Sequence, residues 1–375
     1  MIKKLRESSL FSIISCLIIV ISLASILTPD NAFSENENRP LDGPPVITFS
    51  SLLDGSYSHS YEKYVNDQFW MRDTWIETKS VTEFAQLKTE NNGVVYGKKG
   101  YMFQKFSNFD SDVLIRNLDA IDYFAYNSVS DVSFIVVPSA YYPLIDYLPA
   151  GVPVVDQGFY ITEINSYLSP YATPVNVKDT LVVNADEYIY YRTDHHWTNY
   201  GAWLAYSQFA SSAGFEAVDY NRLPAVQVEG FLGTSYSKSK AFNAVPDTLE
   251  YFDFPGRVTV VRSSGDVRYD SLYDYEQLEK RDKYAGLLHG NNAMAIIEGK
   301  QSPKNLDCIV VICDSFGFSF IPYLTQNYNK IIMIDPRYYT GSFAEFRETM
   351  YDDILIIFGF ESYCTIKDIM KLALD

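Results

Sequence analysis

The sequence "DCIVVICD" at residues 307–314 is an unbroken apolar run between two aspartates. Two further runs, "KIIMID" (330–335) and "DILIIFG" (353–359), follow it at short intervals. Short runs without alternating polar residues are typical of strands that are buried on both faces. These three segments therefore predict a parallel sheet that is covered by other elements on both sides.

The chain before these strands alternates between helical and strand-like patterns. Residues 112–126 and 159–169 have apolar positions at helical spacing, and each precedes a predicted strand, at 132–138 and at 175–180. Another helix is predicted over 198–211. Strands that alternate with helices in this way are typical of α/β folds. We therefore expect an α/β fold with a mostly parallel central sheet between helical layers.

Two regions depart from this alternation. Residues 59–88 have helical spacing, and "VVYGKKGYMF" (94–103) has the turn and strand pattern of a β-hairpin. Residues 214–300 contain only short β-like pieces, such as "RVTVVRS" (257–263), and predict an irregular, β-containing insertion or lid. The folded domain is therefore expected to span residues 59–375.

The N-terminus has the pattern of a membrane-targeting segment. Basic residues within positions 3–6 precede an apolar run at 10–27, whose length is close to what a bilayer core requires. We predict a signal anchor or transmembrane segment at 1–29 and a polar stalk at 30–58, because no clear cleavage site follows the apolar run. The basic flank places the rest of the chain outside the cytoplasm, anchored to the cell membrane, or secreted if the segment is cleaved.

The composition excludes one class of partner and constrains the redox chemistry. A formal net charge of −17 repels phosphates, so no nucleic acid partner is expected. Cys308, Cys313 and Cys364 of the exported part are too few for a disulfide framework, and we expect buried free thiols. The sequence indicates no cofactor.

In a parallel sheet, sites form in the loops at the carboxyl ends of the strands. Residues 314–317, 335–339 and 359–362 occupy such positions here. Ser315 follows the strand at 307–314 and precedes a helical pattern, so backbone N–H groups at the start of that helix could hold an oxyanion beside its hydroxyl. Ser315 is therefore a candidate nucleophile, and a helix cap is its alternative role.

A serine nucleophile requires a base, and "YRTDHHWTNYGAW" (191–203) contains the best candidate. In an extended segment, Asp194 and His196 lie on one face, so the carboxylate can orient the imidazole for proton transfer from Ser315. His195 would then point the opposite way and have a structural role. The alternative is that the Asp–His pair stabilises a packed turn without catalysis.

A metal site is a further alternative, since Asp194, His195 and His196 offer ligand types that suit zinc or iron. Adjacent histidines rarely converge on one ion, and His59 and His289 lie in segments without ligand spacing. We therefore predict that no metal is bound at these residues.

Several motifs resemble, in order along the chain, those of the bacterial DHHW family. They are "ENRPL" (37–41), "YVNDQFWMRDTWI" (64–76), "NNGVVYGKKGYMF" (91–103), "TDHHWT" (193–198), "FLGTSYSKS" (231–239) and "CDSFG" (313–317). This family is similar to the SGNH-like domains that O-acetylate alginate and other exopolysaccharides. The resemblance implies a three-layer SGNH-hydrolase-like sandwich in circularly permuted order, in which the Asp-x-His motif precedes the serine. It also implies a Ser–His–Asp triad of Ser315, His196 and Asp194.

The oxyanion hole implied by this resemblance is not plainly visible in the sequence. The SGNH block that supplies Gly and Asn has no clear match, because "GFES" (359–362) contains no Asn. The candidates for the oxyanion hole or for substrate contacts are Gly317, Gly359, Arg337 and Tyr338. The tyrosine is included because some of the alginate relatives use one in this role.

We therefore expect an extracytoplasmic serine O-acyltransferase, with acetyl as the transferred group, or an esterase. Either enzyme would act on cell-surface or exported polysaccharide through an acyl-enzyme. Its partners would be the polysaccharide acceptor and, by resemblance, a membrane-bound transferase that donates the acyl group. The alternatives are a non-catalytic glycan-binding or scaffold protein on the same fold, and a metal-dependent esterase.

Overall fold

The computed structural model describes residues 2–34, 37, 39–302 and 305–374. The chain divides into two compact units, the first from residues 1–88 with 237–243 and the second from residues 89–236 with 244–375. The main boundary therefore follows residue 88, whereas the sequence suggested a domain that begins at residue 59.

Helices dominate the chain up to residue 88. The elements are α1 (Ile2–Leu27), β1 (Phe33–Ser34), β2 (Arg39–Pro40), α2 (Phe49–Leu53), α3 (Ser56–Asp67) and α4 (Arg72–Ala85). Within α1, the 19 residues Ser9–Leu27 have a mean hydropathy of 2.8 and are not buried, so this helix is long and apolar enough to cross a membrane. A signal sequence near the N-terminus has the same properties, so α1 indicates a signal or an anchor.

In the first unit, charged side chains join the motif "ENRPL" (37–41) to the motif "YVNDQFWMRDTWI" (64–76). Arg39 donates to both carboxylate oxygens of Asp67, at 2.9 and 2.5 Å. Arg72 forms an ion pair with Glu37 at 2.7 Å, and the Asp42 N–H donates to Asp67 at 2.9 Å. Because a bidentate Arg–carboxylate pair fixes the geometry of both partners, this network holds the segment 37–42 against the end of α3.

After residue 88, strands and helices alternate. The elements are β3 (Glu90–Asn91), β4 (Val94–Tyr96), β5 (Met102–Gln104), α5 (Ser111–Tyr126), β6 (Val132–Val137), α6 (Gln157–Leu168), β7 (Thr173–Pro174), α7 (Val177–Val183), α8 (Asn199–Ala213), β8 (Ala225–Phe231), α9 (Thr234–Ser239), β9 (Asp247–Phe252), β10 (Gly256–Val260), β11 (Val267–Tyr269), α10 (Tyr275–Glu279), β12 (Met294–Gly299), β13 (Leu306–Cys313), α11 (Gly317–Leu324), β14 (Tyr328–Ile334), α12 (Ala344–Glu348), β15 (Asp353–Gly359) and α13 (Phe360–Thr365). The predicted hairpin at 94–103 is confirmed by the antiparallel pairing of β4 with β5.

An eight-stranded sheet forms the centre of the second unit, in the order β11-β10-β12-β14-β13-β15-β6-β7. The strands from β14 to β7 in this order run parallel, and β12, β10 and β11 are antiparallel at one edge. Residues 309–313 of β13 are all fully buried, so both faces of this strand are covered. The α/β fold with a mostly parallel central sheet is thereby confirmed.

The predicted strand at 175–180 is wrong. Asn176 caps α7, and its Oδ1 accepts a hydrogen bond from the Asp179 N–H at 3.4 Å. The pairing with β6 involves Thr173–Pro174 and ends at Val175, whose N–H donates to the Phe134 carbonyl at 2.9 Å. A side chain that caps a helix competes with strand pairing, which is why the β-like composition of this segment was misleading.

The region 214–300 is partly integrated into the central sheet and is not a separate lid. It contributes β10, β11 and β12, while β8 and β9 pair in a two-stranded sheet of their own. Antiparallel edge strands are exposed on one side and therefore lack the long apolar runs of the parallel strands. This difference explains why the pattern of the region suggested an irregular insertion.

Helix α8 begins directly after the "DHHW" segment at 194–197, and a glycine allows it to pack closely. The Thr198 hydroxyl caps the helix, since it accepts the Gly201 N–H at 3.2 Å and donates to the Tyr188 carbonyl at 2.6 Å. A Cβ at Gly201 would lie 2.4 Å from the carbonyl oxygen of Ile189. Gly201 therefore sets how closely α8 approaches the segment that precedes the turn.

We expect the substitution Gly201→Ala to lower the free energy of unfolding by about 2 kcal/mol, because the new methyl group overlaps backbone that cannot move cheaply. Alanine stabilises a helix by about 1 kcal/mol relative to glycine, and this gain reduces the loss of stability without reversing it. Urea denaturation of the full chain measures the effect, with Ser212→Ala on the exposed face of α8 as the control. A Gly201→Ala variant as stable as the wild type would contradict this account of the packing.

Candidate active site

Ser315 lies at the carboxyl end of β13, directly before α11. Its side chain is partly exposed, and its Oγ is 2.7 Å from Nε2 of His196. The two residues are 119 positions apart in the chain, and they meet at the edge of the sheet where β13 ends. The structure therefore brings together the two side chains that the sequence suggested as nucleophile and base.

Asp194 contacts the other side of the same imidazole. Its Oδ1 is 2.6 Å from Nδ1 of His196. Asp194 and His196 are 3% and 4% exposed, so water hardly reaches either group. A carboxylate at Nδ1 favours the tautomer that leaves Nε2 free to accept the proton of Ser315. The three side chains therefore form one hydrogen-bonded series.

The turn that carries Asp194 is not the extended segment that the sequence analysis assumed. The His196 N–H donates to Asp194 Oδ1 at 2.9 Å, which closes a tight turn of the kind that Asp side chains form with backbone two residues ahead. His195 does not point the opposite way, since its ring centroid lies 3.8 Å from that of His196. This turn, rather than strand alternation, brings the carboxylate to the imidazole.

The second oxygen of Asp194 is held by the motif at 231–239. Oδ2 accepts the Thr234 N–H at 2.7 Å and the Thr234 hydroxyl at 2.9 Å, and the same hydroxyl lies 2.6 Å from Nδ1 of His195. A Cβ at Gly233 would lie 2.3 Å from the Asp194 side chain, so this position requires glycine. Burial opposes the charge of Asp194, but the neighbouring imidazoles and these hydrogen bonds hold its pKa well below the usual range.

Asp314 fixes the turn that presents Ser315. Its Oδ1 accepts the Phe316 N–H at 2.9 Å, and its Oδ2 accepts the Gly359 N–H at 2.9 Å and the Ser362 hydroxyl at 2.6 Å. The residue is 2% exposed. Asp314 therefore joins the loops at the carboxyl ends of β13 and β15, two of the loops that the sequence placed at one edge of the sheet.

The two glycines suggested for the oxyanion hole have other partners. The Gly317 N–H donates to the Asp314 carbonyl at 3.1 Å, and the Gly359 N–H is bound by the Asp314 carboxylate. Across the part of the chain that the structure describes, the Ser315 N–H forms no hydrogen bond. The N–H of Ser315 itself is therefore the backbone donor left beside its hydroxyl.

Arg337 and Tyr338 lie in the loop after β14. The Arg337 guanidinium is paired with the buried carboxylate of Asp335, with Nη2 2.6 Å and Nε 2.9 Å from its oxygens. The Tyr338 side chain is exposed and lies beside this guanidinium. Neither side chain forms a hydrogen bond with Ser315 or His196 among the described residues, so the structure does not bring them into the hydrogen-bonded series.

Tyr284 is a residue of this site that the sequence analysis missed. Its ring is stacked on the imidazole of His196, with centroids 4.0 Å apart and planes 9° apart, and its hydroxyl donates to the Ser315 carbonyl at 2.9 Å. Burial raises the pKa of Tyr284 well above its usual value, so the hydroxyl remains a donor at neutral pH. No local pattern distinguishes Tyr284 from the other tyrosines among the 31 in the chain.

Asp247 is a second missed residue, and it holds the start of the turn. Its buried carboxylate accepts the N–H groups of Arg192 and Thr193 at 2.9 and 2.8 Å, and the Thr193 hydroxyl at 2.6 Å. The Tyr188 hydroxyl donates to the same carboxylate. Burial raises the pKa of Asp247, while these hydrogen bonds oppose the shift. Asp247 therefore replaces the backbone partners that the turn lacks.

The same turn could also offer ligands to a metal ion. One ligand atom from each of Asp194, His195 and His196 lies within 4.8 Å of the others. The nitrogen and oxygen atoms of these three residues already form hydrogen bonds. His196 bonds to Asp194 and Ser315, and both His195 and Asp194 bond to Thr234. An ion at this place would have to replace those hydrogen bonds.

We expect the substitution Asp247→Ala to lower the free energy of unfolding by about 3 kcal/mol, because it leaves several buried donors without an acceptor. Asp247→Asn retains one acceptor oxygen and should be less damaging. Chemical denaturation measures both variants, and Asp186→Ala, which removes an exposed carboxylate, is the control. Equal stability of Asp247→Ala and the wild type would show that the turn does not depend on this carboxylate.

Comparison with known structures identifies proteins of similar fold. A DHHW family protein from Eubacterium siraeum is 22% identical with a TM-score of 0.63, covering 75% of this chain and 95% of its own. PatB1 of Bacillus cereus is 17% identical with a TM-score of 0.57, covering 73% of this chain and 98% of its own. A second structure of PatB1, at 16% identity, the same TM-score of 0.57 and the same coverage of 73% and 98%, contains a sulfonyl adduct.

Comparison of sequences gives a more direct assignment. No curated protein sequence matches the chain. The sequence profile described as DHHW protein matches residues 76–334, which is more than half of the chain. The matched range includes Asp194, His196 and Ser315. The chain therefore belongs to the DHHW family.

Proposed function

We propose that this protein is an extracytoplasmic serine O-acyltransferase, with acetyl as the acyl group, or an esterase that acts on cell-surface or exported polysaccharide. The observation that carries the proposal is the series Ser315–His196–Asp194, with 2.7 Å between Oγ and Nε2 and 2.6 Å between Nδ1 and Oδ1. This is the arrangement that activates a serine in acyl transfer.

The proposed chemistry has two steps. Ser315 Oγ attacks the acyl carbonyl while His196 Nε2 takes its proton, and the ring returns that proton to the leaving oxygen as the acyl–oxygen bond breaks. An acceptor hydroxyl then attacks the acyl-enzyme, gives its proton to His196, and releases Ser315 as the proton returns to Oγ. A sugar hydroxyl in this step gives transfer, and water gives hydrolysis.

Two neighbouring groups lie where they stabilise the charge that the His196 ring carries transiently as it passes the proton in both steps. The ionised Asp194 lies at Nδ1, and the ring of Tyr284 is stacked on the imidazole, which favours a positive charge on it. The Ser315 N–H is the proposed donor to the oxyanion in the tetrahedral intermediate. Gly317 and Gly359 are not needed in this scheme, because their N–H groups are bound elsewhere.

The acyl group and the acceptor class rest on the resemblance of the DHHW motifs to SGNH-like domains that O-acetylate exopolysaccharides. In those domains, as in this chain, the Asp-x-His motif precedes the serine, which supports a circularly permuted SGNH-like fold. A sulfonyl adduct in PatB1, whose fold is similar, indicates a suitable class of probe.

The proposed location follows from α1 and its basic flank. The helix would anchor the chain in the cell membrane with residues beyond 29 outside, or serve as a signal in a secreted form. The proposed partners are the polysaccharide acceptor and a membrane-bound transferase that supplies the acyl group. The location beside the membrane would keep the enzyme close to such a donor.

We expect a sulfonyl fluoride probe to label the wild type and not the Ser315→Ala variant, because only a serine activated by a base reacts at a useful rate. Hydrolysis of p-nitrophenyl acetate should be lost in Ser315→Ala and in His196→Ala. Asp194→Asn should reduce kcat by about 10⁴-fold through the wrong tautomer. Ser264→Ala, on an exposed turn, is the control.

Equal labelling of wild type and Ser315→Ala would reject the proposed nucleophile and favour the non-catalytic scaffold. Loss of turnover on treatment with a chelator, restored by zinc, would instead favour a metal-dependent esterase built on Asp194, His195 and His196. Circular dichroism of each variant excludes unfolding as the cause.

Substitutions of Tyr284 test its role as a positioning residue. Tyr284→Phe keeps the stacked ring and loses the bond to the Ser315 carbonyl, so we expect kcat to fall roughly 5-fold. Tyr284→Leu loses both contacts and should lower kcat roughly 30-fold and alter the pH profile of kcat, with KM nearly unchanged in each case. An unchanged pH profile in Tyr284→Leu would show that the ring does not act on the imidazole.

A further inference from the structure

A second concave surface lies in the same unit as the candidate active site. It is a cleft of about 580 Å³, formed by the start of α8, the 3₁₀ turn Tyr220–Arg222 and strands β8 and β9. Neither Ser315 nor His196 lines it. A cleft of this size can hold a ligand of several rings.

One wall of the cleft consists of aromatic rings held in fixed positions. Tyr200 lines the cleft and is stacked on Trp203 behind it, with centroids 5.7 Å apart and planes 17° apart. Tyr220 meets Tyr200 edge to face at 5.1 Å. The indole N–H of Trp203 donates to the Val218 carbonyl at 2.9 Å, which holds the indole in place. The rings present an apolar surface that is already ordered.

Asn199, which lines the cleft, carries a buried polar atom without a partner among the described residues. Asn199 is 5% exposed, and its Nδ2 has no hydrogen-bond partner among the residues that the structure describes. Burying an amide N–H without an acceptor costs free energy, and a rotation of the side chain toward the cleft would let a ligand oxygen accept that hydrogen bond. Asn199 is therefore a donor that a ligand in the cleft engages once this side chain turns toward it.

The remaining polar groups offer both donors and acceptors. The Tyr220 hydroxyl and Gln227 Nε2 both donate to the carboxylate of Glu250, the latter at 3.3 Å. Arg192 and Glu187 also line the cleft. Two carboxylates against one guanidinium give the cleft no excess of positive charge, which disfavours phosphates and polyanions.

We propose that this cleft binds a segment of uncharged oligosaccharide. Sugar rings present apolar C–H faces that pack on aromatic side chains, and hydroxyls that both donate and accept hydrogen bonds. The cleft has both complements, because the Tyr200 and Tyr220 rings and the polar side chains of Asn199, Gln227 and Glu250 all line it. The binding does not depend on reaction at Ser315, so it holds whether or not the proposed enzymatic function does.

The position of the cleft in the chain gives the bound segment a role. Arg192 and Thr198 line the cleft and flank the turn at 193–197 that carries Asp194 and His196. A glycan held here therefore lies near that turn. Binding at a distance from the reacting group raises the local concentration of further sugar units along the same polymer.

Ligand-detected saturation-transfer NMR on the full chain in lipid nanodiscs tests the proposal, with cellotetraose and chitotetraose as uncharged probes and tetragalacturonate as the anionic comparison. We expect at least one uncharged tetrasaccharide to bind and the anionic one to bind at least 10-fold more weakly. Asn199→Ala should weaken binding about 10-fold through loss of the buried donor. Tyr200→Ala should weaken it at least as much.

Two controls separate this proposal from the enzymatic one. Ser315→Ala should bind the tetrasaccharide as tightly as the wild type even though it no longer turns over acetyl esters. Tyr275→Ala removes an exposed tyrosine outside the cleft and should also leave binding unchanged. Absence of binding by both uncharged probes up to about 10 mM would overturn the proposal. Binding that is unaffected by Asn199→Ala and Tyr200→Ala would do so as well.

Discussion

The carboxylate of Asp194 lies out of contact with water and accepts hydrogen bonds from His196 and Thr234. An isolated charge in this position would be strongly unfavourable, and the residue would become protonated. The surrounding donors reverse that preference and keep it ionised. Because the same oxygen that closes the turn also contacts the imidazole, the backbone fold of the turn and the orientation of His196 depend on one group.

Two other buried aspartates around the site are also stabilised by hydrogen bonds from several donors. Asp314 accepts the N–H groups of Phe316 and Gly359, and Asp247 accepts those of Arg192 and Thr193. Each of these buried aspartates joins two chain segments, and its hydrogen-bond partners are backbone N–H groups and hydroxyls. A chain with a net charge of −17 thereby places acidic groups inside without matching each one to a buried cation.

The sequence was most informative where one segment determines its own structure. The runs at 307–314, 330–335 and 353–359 form strands, and a short run that is apolar throughout suits a strand covered on both faces. The rule that loops gather at the carboxyl ends of parallel strands led to Ser315. It predicted where the serine is exposed, and the family resemblance together with the Asp-x-His spacing predicted which imidazole meets it.

The features that the sequence did not indicate depend on contacts between distant segments. Tyr284 and Asp247 belong to the site through a stacked ring and through hydrogen bonds to the turn, and neither interaction leaves a local pattern. The orientation of His195 was wrong because a tight turn closed by a side chain does not alternate its faces as a strand does.

Burial differs sharply between Ser315 and the imidazole that it contacts. His196 lies beneath the rings of Tyr284 and Phe316 and is 4% exposed, whereas Ser315 is only partly covered. On the proposed chemistry, water that reaches an acyl group on Ser315 therefore competes with any sugar hydroxyl for the same base. Transfer exceeds hydrolysis only when the acceptor is held in place long enough to raise its effective concentration above that of water. On the proposed chemistry, the balance between transferase and esterase is thus set by what holds the polysaccharide near the turn rather than by the Ser–His–Asp series itself.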